Sequence, residues 1–201
     1  MGEKDQPTRE KILRAAWQLM DKGESIQSLS VRRIAKRAGI SFSTINYYFG
    51  SKDNLITESL ITNMNKATHR WIKIAPTLEV DAVGKLKVLL KLKGDYYARH
   101  PNLIKISIIS SPYQLQHFRE QSSTLYYFID FALMPLLREI CPVKTDVEIR
   151  RAVELVYMSF DIAYLQFLHA PERSTVNFFD KQERDAYMEQ FTDILLHALQ
   201  S

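Results

Sequence analysis

Apolar positions recur at helical spacing along almost the whole of this 201-residue chain. Ile12, Ala16, Leu19 and Met20 share one face of a first helix over about 8–22, with Thr8 as its cap and Gly23 at its end. Ser30 caps a short second helix over 31–38, where Ile34, Ala35 and Ala38 face inward and Arg32, Arg33, Lys36 and Arg37 stay outside. Gly39 ends it in a left-handed turn, and Ile40 plugs the core. Ser41 caps a third helix that runs to about Tyr48, with Ile45 and Phe49 pointing inward four residues apart. Ser51 caps a fourth, whose stripe Leu55, Ile56, Leu60, Met64, Ala67 and Trp71 continues toward Ile74 until Pro76 stops it.

The pattern stays helical beyond Pro76. Leu86, Leu89, Leu90 and Tyr97 mark the buried side of a helix over 80–99, and a short helix is expected over 102–109. A further one covers about 114–140, and Pro135 should kink or divide it. Thr145 and Glu148 form a capping box for a helix over 146–169 that is apolar nearly all round and so needs partners on more than one side. Asp180 and Glu183 suggest a cap for the last helix, which carries Tyr187, Phe191, Ile194, Leu195 and Ala198 to about Gln200. No strand pattern or internal repeat competes. The fold expected is all-α, with an N-terminal three-helix helix-turn-helix domain (1–53) and a C-terminal helical domain for ligand binding and dimerisation (54–201).

The third helix leaves Ser43, Thr44, Asn46, Tyr47 and Tyr48 on its outer face. Such a surface makes poor sense against water and good sense against phosphates and base edges. Charge agrees with this. Residues 1–55 hold ten Lys/Arg against six Asp/Glu, which accounts for the whole net charge of +4 and leaves the rest neutral. A hydrophobic content of 46% is ordinary for a globular protein. The single Cys141 excludes an intrachain disulfide and reads as a half-buried thiol. No apolar run is long enough for a membrane span, and the polar N-terminus carries no signal-peptide core, so a cytoplasmic location is expected. The histidines His69, His100, His117, His169 and His197 are scattered, and no phosphate loop, dinucleotide fingerprint or nucleophile elbow is present. No enzyme, metal or cofactor is expected.

Ile12, Ala15 and Ala16, then Ile34, Ala35, Ala38, Gly39 and Ile40, then Ser41, Ser43, Thr44, Ile45, Tyr47, Tyr48 and Phe49, then Ser51, Lys52 and Leu55 recur in order. In this array, residues 8–60 resemble the DNA-binding domain of the TetR family of transcriptional repressors. The resemblance implies a homodimer on a palindromic operator, released when a small molecule enters the C-terminal domain. It assigns Arg32 a reach into the major groove, Ser41, Phe42, Ser43, Thr44, Asn46, Tyr47 and Tyr48 to the reading helix, and Lys52 to a phosphate. Many members carry Tyr where this chain has Asn46, and Asn can bond adenine through two hydrogen bonds. Phe42 either touches a thymine methyl or packs against the neighbouring helices. Ser41 caps, with or without a phosphate at the same amides.

The body is rich in side chains with an apolar frame and a polar tip. Tyr96, Tyr97, His100, Tyr113, Phe118, Tyr127, Phe131, Tyr157, Met158, Asp161 and Tyr164 are the candidate effector-binding set, and a plain helical core is the alternative. Asp161 lies inside the most apolar helix and needs a histidine, an arginine, a residue of a second subunit or a cationic ligand. Val153, Tyr157, Phe160, Tyr164, Tyr187, Phe191, Ile194 and Leu195 are the candidate dimer surface, as a four-helix bundle across a two-fold axis. The expected function is a DNA-binding repressor released by a hydrophobic or aromatic effector. An architectural or cell-division DNA binder without such a switch is the alternative, with an enzyme whose site assembles only in space behind it.

Overall fold

The computed structural model describes residues 6–24, 26, 28–109 and 127–200. Among them the chain is all-helical: α1 Gln6–Asp21, α2 Val31–Ala38, α3 Phe42–Phe49, α4 Lys52–Ile74, α5 Ala82–Arg99, α6 Pro101–Ile109, α7 Met134–Ile140, α8 Asp146–His169 and α9 Lys181–Gln200. Two compact units result. One takes in the described part of residues 1–66 and 100–124, the other that of 67–99 and 125–201. The chain thus passes from one to the other within α4.

In the first unit α1 packs on α2 and α6, and α2 on α3. Ile12, Ala16, Met20, Ile34, Ala38, Ile45, Leu55, Ile56 and Leu60 form its core. Ser30 and Ser41 cap α2 and α3 as expected, each accepting a backbone N–H three residues on. Gly39 adopts φ 62°, and the bonds Ile40 N–H to Ala35 O and Gly39 N–H to Lys36 O close α2. α1 starts at Gln6, before Thr8, so Thr8 is a helical residue and not its cap. His100 belongs to this unit. Its Nδ1 lies 2.9 Å from Asp21 Oδ1 and its ring meets Trp17 edge-on.

In the second unit α5 packs on α7 and α9, and α8 on α7 and α9. A Cβ on Gly94 would stand 3.0 Å from Met188, so glycine is what lets α5 and α9 approach. Lys87 pairs with Glu189 and Asp193 along the same seam. Around Pro135 the helical run is not divided, but its winding changes. Pro135 cannot donate to Phe131 O, and the chain widens to a π-helical turn over Ile129–Leu133, with Met134 N–H bonded to Ile129 O. The capping box at Thr145 and Glu148 opens α8 with both reciprocal bonds present.

The face pattern of α8 divides its apolar residues in two. Ile149, Val153, Tyr157, Phe160, Tyr164 and Phe167 are buried, while Val147, Leu155, Met158 and Ile162 are more than 60% exposed. Apolar residues lie all round the helix, but the chain itself covers only one side.

Candidate DNA-reading surface and the buried polar cluster of the body

α3 is held from behind by Ile45 and Phe49, which sink into the first unit's core at 1% and 5% exposure. Ser41, Phe42, Ser43, Asn46 and Tyr47 are exposed, Thr44 and Tyr48 half-buried. Tyr47, at 78% exposure, leans edge-on against the ring of Tyr48. The Ser41 hydroxyl lies 2.8 Å from that of Ser43 and 2.7 Å from that of Thr44, so one small hydroxyl network crowns the N-terminus of α3. Phe42 is 47% exposed, which leaves its ring edge accessible beside that network.

The cations around α3 divide into two groups. Arg9 pairs with Glu58, Arg33 with Glu24, and Arg37 donates to Gln18. Lys52, expected at a phosphate, donates from Nζ to Ile26 O at 2.6 Å, tying the loop before α2 to the start of α4. That bond leaves two of its three N–H groups, so Lys52 is a strap first. Arg32 and Lys36 are exposed and make no ion pair among the described residues.

Residues 12–58 match the family model described as bacterial regulatory proteins, tetR family. Over these residues the chain carries a tetR-family DNA-binding domain. Its DNA-binding domain is the helix-turn-helix just described, and the chain is a DNA-binding transcriptional regulator. Among curated relatives, the HTH-type transcriptional repressor NicS of Pseudomonas putida is 27% identical over 201 residues, spanning 96% of this chain and 92% of its own. The nucleoid occlusion factor SlmA of Vibrio cholerae is 24% identical over 146 residues, 69% of this chain and 70% of its own. Among solved structures, the transcriptional regulator FadR of Bacillus subtilis in complex with stearoyl-CoA superposes with a TM-score of 0.72 at 17% identity, covering 94% of this chain and 98% of that one. That likeness carries the fold across both units. No described helix is long and apolar enough to cross a membrane.

The body brings part of the expected effector set together. Tyr96, Tyr97, Tyr157 and Tyr164 are buried. Tyr164 donates to Tyr97 O at 2.6 Å, and Tyr97 donates to Asp161 Oδ1 at 2.8 Å. Burial first, and Asp161 second, push the Tyr97 hydroxyl well above its ordinary pKa. Burial raises Asp161, while Lys93 and then the Tyr97 hydroxyl pull it back. Within the chain the partner of Asp161 is therefore a tyrosine with a lysine nearby, not a histidine or an arginine.

Other members fall away. His100 is committed to Asp21 in the first unit. Phe131 and Met158 are 57% and 62% exposed, so neither lines an interior site within this chain. Tyr127 is half-buried against Phe131. Tyr113 and Phe118 lie outside the described residues. The expected dimer set needs a larger correction. Val153, Tyr157, Phe160, Tyr164, Phe191 and Leu195 are core residues at 5% exposure or less, so they face their own chain. Ile194 is 53% exposed and Tyr187 half-buried.

Lys93 was missed by the sequence reading. It is 6% exposed, and its ammonium lies 4.8 Å from the Tyr97 and Phe128 ring centroids and 4.2 Å from that of Tyr157. The signal was available: Leu86, Leu90, Lys93 and Tyr97 follow the four–three–four spacing of one buried stripe. A separate open pocket of about 490 Å³ lies where α8 gives way to α9, lined by Phe167, Leu168, Val176, Phe179 and Glu183 among others. It contains no member of the expected set.

Proposed function

We propose that this regulator is a repressor that binds a palindromic operator as a homodimer and leaves it when a small apolar or aromatic molecule enters the body. The observation that carries the DNA part is the outward face of α3, where Asn46 and Tyr47 stand exposed on a helix anchored by Ile45 and Phe49. Asn46 reads a base, and the exposed Arg32 and Lys36 meet phosphate or reach the groove edge. Repression is supported by NicS, a repressor whose likeness runs the length of the chain. Cytoplasmic location follows from that role.

The dimer surface moves to the other side of α8. Leu155, Met158 and Ile162, spaced at three and four residues, form an exposed apolar stripe, and Ile194 adds to it from α9. Met158→Glu should convert the dimer to monomer at micromolar concentration in sedimentation and weaken operator binding with it. A wild-type monomer would end the dimer reading.

The test of the whole is selection of bound sequences from random duplex DNA by the full chain. An enriched inverted repeat is expected, with half-sites about one helical turn or somewhat more apart. Enrichment of no sequence would refute the operator reading. The likeness to SlmA supports a second reading, a DNA binder acting in cell division with no small-molecule switch. Operator complexes that persist against every apolar ligand added would favour it.

A further inference from the structure

Among its described residues the body contains two buried cations, and it treats them differently. Arg184, 6% exposed, is fully supplied with acceptors. It donates twice to Asp95 Oδ1, at 2.7 and 3.1 Å, and to the carbonyls of Phe178 at 2.8 Å and Asp180 at 3.3 Å. Lys93, equally buried, makes no hydrogen bond and no ion pair among the described residues. Three aromatic faces surround it. Those faces stabilise charge, yet they accept none of the three N–H protons in the way an oxygen does. Asp161 is near enough to favour the ammonium, and its Oδ1 accepts from the Tyr97 hydroxyl.

A second unsatisfied donor stands at the same place. The Tyr157 hydroxyl is buried, in a residue 1% exposed, and has no hydrogen-bond partner. Its ring is the one closest to Lys93 Nζ. Buried polar groups are nearly always paired, so a buried hydroxyl beside an ammonium that has no acceptor among the described residues suits the oxygen of a ligand. In a low-dielectric interior an ammonium gains more from an anion than from a neutral carbonyl. The walls, Tyr97, Phe128 and Tyr157, suit an apolar or aromatic frame.

We infer that Lys93 and Tyr157 form the anion-binding end of the effector site, and that the effector carries a carboxylate on an apolar or aromatic frame. This rests on the proposal that the body takes a small molecule at all. It also reverses the polarity that Asp161 alone suggested, because Asp161 already accepts from Tyr97 whereas the Lys93 ammonium has no acceptor among the described residues.

Calorimetric titration of the full chain with two matched series tests it. One series is octanoate, octanamide, octan-1-ol and octylamine. The other is 3-phenylpropanoate with the corresponding amide, alcohol and amine. In at least one series the carboxylate should bind about tenfold or more tighter than the neutral members, and the amine should not bind. Lys93→Met should remove that preference while the alcohol keeps its affinity, and Tyr157→Phe should weaken the carboxylate several-fold. Should Lys93→Met fail to fold, Tyr157→Phe carries the test, since it keeps the ring and deletes only the hydroxyl. An amide or alcohol as tight as the carboxylate, or a preference that survives both substitutions, would overturn the anion assignment and leave a small-molecule site standing. Binding by no member of either series would overturn the effector reading with it.

Discussion

The two units handle polar side chains in opposite ways. The first keeps an apolar core and displays hydroxyls, an amide and cations on one short helix, where Asn46 and Tyr47 are exposed. The second draws Lys93 and Arg184 into its interior, together with the tyrosines that surround or neighbour them. A surface that reads a nucleic acid must remain hydrated until its partner arrives, and a site that recognises a small molecule must be dry. On the proposed function, the same chemistry, hydrogen bonding to an oxygen-rich ligand, is prepared outside in one unit and inside in the other.

The largest effect should come from the body's packing. Phe160, fully buried, meets the rings of Tyr97, Tyr157, Tyr164, Phe178, Tyr187 and Phe191. Phe160→Ala should cost about 3–5 kcal/mol in denaturant unfolding. A cost below about 1 kcal/mol would mean that the aromatic cluster is loosely packed and the contrast between the units overdrawn.

Next comes the reading surface. Asn46→Ala should lower affinity for the selected operator by about 1–3 kcal/mol, roughly five- to 150-fold, and leave random DNA unaffected. Equal losses on both would reassign Asn46 from base to backbone.

Lys93 supplies a pH test with a definite sign. Burial lowers its pKa to about 8, against a smaller opposing effect of Asp161. Between about pH 8 and the ordinary lysine value the unfolded chain holds the extra proton, so this group's contribution to stability rises with pH through that window. Below pH 8 the full cost of burying the charge is present. Lys93→Met, similar in volume, should therefore be at least as stable as wild type at pH 7. Its advantage should shrink by pH 10. Tyr97 and Tyr164 titrate in both proteins, and comparing the two melting curves isolates the lysine. An advantage that stayed constant with pH would show that the ammonium is not buried in solution.

The smallest effect lies at the turn. Gly39→Ala should cost about 1–2 kcal/mol, because φ of 62° strains any residue with a Cβ. The nearest atom to that Cβ, Lys11 Nζ at 3.7 Å, adds no clash. A neutral substitution would show that the turn relaxes.

Much of the first unit was legible from residue order. Ser30, Gly39 and Ser41 act locally, within a few residues of what they cap or turn, and local chemistry is written in the chain. The capping box at Thr145 and the disturbance at Pro135 were legible for the same reason. The polar interior was legible only in part. Asp161 stood out because charge in an apolar run is conspicuous. Its partner did not, since Tyr97 and Lys93 lie on another helix more than sixty residues away. The dimer set failed through a different ambiguity. A helix apolar on all sides has an inside and an outside, and no periodicity within it tells Tyr157 from Met158. Only packing against α9 and α7 decides which face is already covered.

The pairing of cations within the first unit has a consequence for how binding responds to salt. Lysines and arginines displace counterions from DNA only when their charge is not already neutralised within the protein. Arg9 and Arg33 each bring a carboxylate with them, whereas Lys52 and Arg37 donate to neutral oxygens and keep their charge. The steepness with which added salt dissociates the operator complex is then set by a few side chains, Arg32 and Lys36 among them, and not by the formal count of basic residues.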